Sequence, residues 1–336
     1  MERSVSQVKG VLLYSGGLDS LIAARLLMDQ GISLTGLHCI LPYYPPDQNA
    51  DDMKQTKLAK QIGLELVHYR CGNEYIEMLK KPAHGYGKEI NPCIDCKIFF
   101  LRRAAELMGD LKADFVATGE VAGQRPMSQL KHTLIHIEKE SGLTGRLIRP
   151  LSAKIFKPSV PELEGLVDRD RLLDINGRGR KRQMELAAFY GITDYELPAG
   201  GCLFTDKNIA ARIRDAFNKE KNVSQLDLFL LKTGRHLRLT DDLKIIVSRN
   251  KAETEELEKY TGFSDFFFKP EFSGPSVYAR GLMTGHDLQV ILAIITFYGK
   301  ASKEENLITV YQKNVQIKKI PALETISQEE IDRMRI

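Results

Sequence analysis

Over residues 1–150, short apolar runs alternate with stretches whose apolar positions recur every three to four residues. A parallel sheet wrapped by helices produces this pattern, because its strands are buried on both faces and each helix on one. Val11 to Tyr14, Leu34 to Ile40, Leu64 to Tyr69 and Phe115 to Thr118 read as strands. Leu21 to Gln30, closed by Gly31, Asp52 to Ile62, Glu74 to Lys81 and about Cys96 to Met108 read as helices. The expectation is an α/β domain with a doubly wound parallel sheet over 1–150. From Pro158 the pattern turns helical, with Val160 to Asp168 and Gly179 to Tyr190 as helices and a Pro198-Ala199-Gly200-Gly201 turn that presents Cys202. This makes 151–205 a helical insert.

Residues 206–336 read as a small α+β domain. Ile209 to Lys219 and Ala252 to Tyr260 are helical in pattern, and Leu226 to Leu231, Leu237 to Leu239 and Leu243 to Val247 are strand-like. Leu288 to Phe297 is an apolar helix suited to packing on a sheet. Phe266, Phe267 and Phe268 alternate faces in a strand, so they read as core before they read as a base-stacking platform.

With 43% hydrophobic residues in 336, the chain can bury substantial cores. No run approaches the roughly 18 apolar residues of a membrane span, and Met1 to Lys9 lacks the apolar run of a secretory signal, so a cytoplasmic protein with no membrane association is expected. The net charge of +4 tolerates a polyanionic partner without demanding one. Five cysteines, an odd number, argue against a disulfide scaffold and for reactive or metal-binding thiols. Cys39 and Cys71 read as buried small hydrophobes, whereas Cys93, Cys96 and Cys202 lie in more distinctive settings.

The sharpest chemical signal is Ser15-Gly16-Gly17-Leu18-Asp19-Ser20 between a strand and a helix. That arrangement gathers backbone N–H groups and a helix N-terminus around one point, which is an anion site by geometry and dipole. Gly16 and Gly17 admit phosphate to the backbone, Ser15 and Ser20 add hydroxyl donors, and Asp19 can hold Mg2+. The Gly-Lys-Ser/Thr ending of a Walker loop is absent. Leu37 and His38 end the second strand, where an adenine is expected at the carboxyl edge of such a sheet, although His38 reads equally as a partly buried polar residue. Downstream, Thr118 and Gly119 close a strand with exposed amides, and Gln124, Arg125 and Ser128 offer donors for phosphate or a uracil edge.

The loop resembles that of the N-type ATP pyrophosphatases, a superfamily that includes GMP synthetase, NAD synthetase, argininosuccinate synthetase and the tRNA thiolation enzymes. The resemblance implies ATP cleavage between the α and β phosphates. Ala117-Thr118-Gly119-Glu120 through Gln129, with Ile148-Arg149-Pro150-Leu151, resembles the signature of bacterial 4-thiouridine synthases. Asn91-Pro92-Cys93-Ile94-Asp95-Cys96-Lys97 resembles the cysteine loop of the 2-thiouridylases, and Ala199 to Phe204 the later cysteine segment of both thiolase families. The similarity to the 4-thiouridine synthases spans about 9–205. It departs from them in having no RNA-capture region ahead of the loop and no rhodanese-type module after it, so sulfur is expected by another route.

Uracil oxygen is a poor leaving group, and adenylation makes it part of AMP, which a sulfur nucleophile can displace. Three thiolates, Cys93, Cys96 and Cys202, can ligate a 4Fe-4S cluster and leave one iron open for sulfide. Two other readings stand beside it: a cluster-free one with Cys202 as persulfide carrier and Cys96 as its disulfide partner, and a closed zinc site completed by a histidine such as His84. The residues leave open whether sulfur arrives as sulfide or from a cysteine desulfurase, whether O2 or O4 of uridine is replaced, and the oligomeric state.

For RNA, Arg169, Arg171, Arg178, Arg180, Lys181 and Arg182 cluster before the third cysteine, with Gly177 and Gly179 between them. Thr233 to Asn250 resembles the RNA-binding domain of NFACT-type ribosome quality-control proteins, with Arg235, Arg238, Lys244 and Arg249 available for phosphates. The leading expectation is an ATP-dependent tRNA uridine sulfurtransferase. The alternatives are an adenylating amidase or synthetase acting on a small molecule, and a non-catalytic RNA-binding or sulfur-carrier protein.

Overall fold

The computed structural model describes residues 7–195, 202–300, 306–322 and 325–336. The chain divides into two compact units, Met1–Cys202 and Leu203–Ile336. In the first, the order is β1 (Lys9–Leu13), α1 (Leu18–Met28), β2 (Ser33–Ile40), α2 (Lys54–Gln61), β3 (Glu65–Arg70), α3 (Asn73–Lys80), α4 (Cys93–Asp110), β4 (Phe115–Thr118), α5 (Lys131–Glu140), β5 (Leu147–Ile148), α6 (Val160–Leu163) and α7 (Lys181–Phe189). The strands form one sheet in the order β3-β2-β1-β4-β5, every pair parallel. This is the doubly wound α/β sheet expected. The order reverses between β1 and β4, and such a switch point opens a crevice at the carboxyl ends of those two strands.

Period-two alternation along each strand divides the core between the two faces. Leu12, Phe115, Ala117 and Ile148 pack with α1 and α7 and with Leu151, Val167, Leu172 and Ile175. Val11, Leu37, Val116 and Leu147 pack on the other face against Ile98, Leu101 and Ala104 of α4 and Ile137 of α5. Residues from the stretch 151–192 are thus built into the core of the first unit. Helix α6 covers only Val160–Leu163 of the expected Val160 to Asp168, since the chain turns at Gly165 with φ of 72°. The Pro198 to Gly201 turn lies outside the described residues.

The second unit runs α8 (Lys207–Lys219), α9 (Gln225–Leu230), β6 (Arg235–Arg238), β7 (Leu243–Val247), α10 (Lys251–Lys259), β8 (Phe266–Pro270), β9 (Val277–Gly281), α11 (Gly285–Tyr298), β10 (Leu307–Gln312), β11 (Val315–Pro321) and α12 (Gln328–Met334). Its sheet is antiparallel, in the order β11-β10-β8-β9-β7-β6. Leu226 to Leu231, expected as strand-like, is the helix α9. A continuous apolar run does not itself distinguish strand from helix, and here Ser224 and Asp227 form a capping box that starts a helix. Phe267 and Phe268 are core residues of β8, as their alternation implied. Among the described residues, no helix is long and apolar enough to cross a membrane.

Candidate functional site

Residues Ser15–Gly17 connect the end of β1 to α1 at the switch point, and Gly17 occupies the N-cap of α1 without a side-chain cap. Two glycines make the approach possible. Gly16 has φ of 76°, and a Cβ there would lie 2.7 Å from the Gln55 side chain. At Gly119, just past β4, a Cβ would lie 2.6 Å from the Ser20 nitrogen and 2.7 Å from the Asp19 carbonyl carbon, so the phosphate loop and the β4 loop touch through backbone. Across this contact Gln124 Nε2 donates to Asp19 Oδ2 at 3.1 Å, and Arg180 lies 3.9 Å from the same oxygen. Arg180 is brought there by Gly177, whose N–H donates to the Ala122 carbonyl at 2.8 Å. Asp19 Oδ1 is buried without a hydrogen-bond partner. An orphaned carboxylate oxygen beside an anion-binding turn fits a hard cation such as Mg2+.

These loops wall a cavity of about 470 Å3, within the range of small-molecule sites. Ser15, Gly17, Asp19, Ser20, Thr118, Gly119, Gln124 and Arg180 line its polar side, and Tyr43, Tyr44 and Phe100 its aromatic side. Tyr43 and Tyr44 stack at 5.4 Å. His38 also lines it, is 4% exposed, and has its Nδ1 3.2 Å from Nδ1 of His68. Burial and the neighbouring His68 lower its pKa to about 4, so the ring is neutral near pH 7. The Leu37 side chain packs in the core against α4, and Ser128 is buried with its carbonyl accepting from Lys97; neither lines the cavity.

Lys97 and Glu120, which the sequence did not single out, also line the cavity, and Glu120 joins it to a buried charge network. Lys97 Nζ donates to Glu120 Oε1 at 2.6 Å, Arg149 Nε lies 3.3 Å from Glu120 Oε2, and Arg149 also binds Glu138 at 2.8 Å. Burial would push the Glu120 carboxyl up, but Lys97 and Arg149 outweigh it and hold the group below the usual range. Lys97, Glu120 and Arg149 each lay inside a recognised motif, yet their pairing spans three separate segments, and Glu138 belongs to a fourth, α5. The aromatic pair was visible only as Tyr43-Tyr44 before two prolines.

Cys93 and Cys96 stand on the first turn of α4, which begins three residues earlier than its apolar pattern suggested, so the C-x-x-C segment is helical and not a loop turn. Cys96 Sγ lies 3.2 Å from the Tyr75 hydroxyl, and burial pushes its thiol up, with Cys202, Cys93 and Cys39 close enough to add to the effect. Cys202 lines the cavity, whereas Cys93 and Cys96 do not. Burial and the nearby Cys202 also push the Tyr43 hydroxyl up. Cys71 is fully buried, as a small hydrophobe would be. Cys39 differs from that expectation: it is half-buried, lines the cavity and contacts the Cys71 thiol, because it ends a strand at the carboxyl edge of the sheet. Among the described residues, no three His, Cys, Asp or Glu side chains converge as a single metal ion requires. His84 is engaged by Asp95 and His136, so the zinc set completed by His84 is not assembled. The thiol-only donor set remains compatible in kind with an iron-sulfur cluster.

The basic residues are divided in their placement. Arg169 pairs with Glu162, Arg171 donates to the Asp29 carbonyl, and Arg182 pairs with Asp174. Arg178 and Lys181 are exposed. In the second unit Arg238 binds Asp215 through Nε at 3.1 Å and through its second nitrogen at 2.6 Å, Lys244 lies 3.4 Å from Glu220, and Arg249 pairs with Glu253. Arg235 lies over the Tyr298 ring at 4.4 Å. All four are engaged within their own unit.

Residues 5–154 match the family model described as thiamine biosynthesis protein (ThiI), and residues 234–335 match the NFACT protein RNA binding domain. A probable tRNA sulfurtransferase of Ureaplasma urealyticum is 36% identical over 120 residues, 34% of this chain and 30% of that protein. A probable tRNA sulfurtransferase of Thermococcus kodakarensis is 30% identical over 147 residues, 44% of this chain and 37% of its own length. The tRNA-specific 2-thiouridylase MnmA of Pseudoalteromonas atlantica is 31% identical over 137 residues, 36% and 33% respectively. The chain spans about a third of the length of the curated relatives it matches. Among solved structures, a 4-thiouridine synthetase–RNA complex with bound ATP aligns at TM-score 0.37 and 20% identity, over 66% of this chain and 53% of that one. The U34-tRNA thiolase NcsA of Methanococcus maripaludis, with its [4Fe-4S] cluster, aligns at 0.32 and 17%, over 69% and 74%.

Proposed function

We propose that this chain, which joins a ThiI-type phosphate-loop domain to an NFACT-type RNA-binding domain, is an ATP-dependent tRNA uridine sulfurtransferase. The observation that carries this reading is a single cavity lined both by the Ser15–Ser20 loop and by a thiol, Cys202. In the proposed reaction the uridine carbonyl oxygen attacks the α-phosphate, a new P–O bond forms, and pyrophosphate leaves. The loop amides with Ser15 and Ser20 hold the departing phosphates, Asp19 takes Mg2+ on its free oxygen, and Tyr43, Tyr44 and Phe100 flank the base or adenine. Arg180 and Gln124, released from Asp19, face the developing phosphate charge. A sulfur nucleophile then forms the C–S bond as AMP departs with the original oxygen.

Cys93, Cys96 and Cys202 would hold a 4Fe-4S cluster, which when bound supplies an iron free of cysteine at which sulfide is presented. Of Cys93, Cys96 and Cys202, it is Cys202 that lies on the cavity wall, which favours a second route for the same activity. A Cys202 persulfide, charged by a cysteine desulfurase, attacks the activated carbon through its outer sulfur. Cys96 then attacks the Cys202 sulfur to form a disulfide, leaving the outer sulfur on the base, and a thiol reductant restores the pair. The protein's partners are accordingly tRNA and either sulfide or the desulfurase.

Conversion of ATP to AMP and pyrophosphate, stimulated by tRNA, tests the reading. The sulfurtransferase requires stimulation by tRNA and loss of thionucleoside, measured by mass spectrometry, in a Cys202→Ala protein. A small-molecule amidase or synthetase would be indifferent to both, and a non-catalytic carrier would release no pyrophosphate. Iron content and visible absorption after anaerobic purification separate the two sulfur routes.

A further inference from the structure

A second group of ring nitrogens lies away from the phosphate loop. His84, in the segment between α3 and α4, has its Nε2 2.9 Å from Nε2 of His136 on α5, with the rings edge-on at 76°. His84 is held from behind: its Nδ1 is 3.0 Å from Asp95 Oδ1, while the two Asp95 oxygens accept the backbone N–H groups of Ala83 at 3.1 Å and His84 at 3.0 Å. Asp95 is 7% exposed. In the neutral tautomer whose Nδ1–H is committed to this carboxylate, His84 presents a bare lone pair at Nε2. A buried carboxylate that fixes the tautomer of a partly exposed imidazole is the outer-shell arrangement of metal-bound histidine.

The spacing agrees with that arrangement. Two imidazole nitrogens each roughly 2.05 Å from one ion stand about 2.9 Å apart at a right angle and about 3.3 Å apart at the tetrahedral angle. The two rings here already lie within that range. His136 is exposed, which leaves its ring room to turn, and His132 lies one helical turn earlier on the same exposed face of α5. We propose that His84 and His136, oriented by Asp95, form a binding site for a borderline divalent cation of the Zn2+ and Ni2+ class, with water completing the coordination. On binding to the two rings in their neutral forms, the proton on Nε2 of His136 moves to its Nδ1 and both Nε2 lone pairs go to the ion, so a hydrogen bond is exchanged for two coordinate bonds. The ion ties the segment preceding α4 to α5. This site shares no residue with the cysteine set and does not depend on the sulfur-transfer reading.

The test is calorimetric titration of Ni2+ into the metal-stripped full-length chain. About one equivalent should bind, His84→Gln and His136→Gln should each weaken it at least about tenfold, and Asp95→Asn by about tenfold through the outer shell. The melting temperature of the metal-free His136→Gln protein should stay near that of the parent, since that side chain is exposed, and a Cys96→Ser protein should bind Ni2+ as tightly as the parent. Failure of the intact chain to bind Ni2+, or binding undiminished in the two histidine variants, would overturn the site. So would loss of binding in Cys96→Ser.

Discussion

At Gly119 the chain allows one atom too few for any other residue. Its neighbours are the backbone of Ser20 and Asp19, which cannot swing aside as a side-chain tip can. Gly119→Ala should therefore separate the β4 loop from the phosphate loop, with a stability loss of about 1–3 kcal/mol in denaturant titrations. ATP-dependent pyrophosphate release should fall far more than that loss accounts for, and a variant with parental turnover would show that the two loops need not touch. The phosphate loop itself was legible in the sequence because its anion geometry is local, made by consecutive residues between a strand and a helix. Its closure by Gly119, Gln124 and Arg180 was not, because those residues meet Asp19 only through the sheet order.

Among the elements, α4 has the most demanding position. Its first turn carries both cysteines, its Lys97 reaches Glu120 past β4, and Glu120 in turn binds Arg149, which continues to Glu138 on α5. Removing the central charge leaves the enclosed Lys97 without its carboxylate and Arg149 with Glu138 alone, so Glu120→Gln should cost on the order of 3 kcal/mol. Because the folded Glu120 has a lowered pKa, its contribution is complete above its unfolded value of about 4.3 and is lost as pH falls through the folded value. The stability gap between the parent and Glu120→Gln should accordingly be widest near neutrality and narrow below about pH 4.3; a gap that persisted in acid would assign the effect to shape and not to charge. Element types were readable where the periodicity was long, as in α1 and α11. They failed at α9, where a short apolar run is compatible with either period, and at β5, because a two-residue strand carries no period at all; α5, β9, β10, β11 and α12 were likewise not anticipated.

For the molecule as a whole, the two units have separate cores and the proposed labour divides between them. The cations first nominated for RNA in the second unit are internally engaged, with Arg238 on Asp215 and Lys244 beside Glu220. The exposed lysines Lys313, in the turn between β10 and β11, and Lys318, within the edge strand β11, are better placed to meet phosphate. Replacing both by Glu should raise the KM for tRNA several-fold, leave kcat near the parental value and steepen no melting transition. A fall in kcat at constant KM would contradict the division of labour. The resemblance read from Thr233 to Asn250 agrees with the family match over residues 234–335, whereas a pattern of Arg and Lys does not reveal which carboxylates fold back onto them.

The placement of Cys93 and Cys96 on a helix has one more consequence. A helical turn is a rigid gauge: residues three apart share one side and rise by about 4.5 Å along the axis. The separation of these two sulfurs is therefore set by backbone hydrogen bonding and not by loop conformation, and inserting a single residue between them would swing one by about 100° around the axis. If the three thiols act together as proposed, any adjustment among them falls to Cys202, the member that belongs to a different stretch of chain and that borders the cavity.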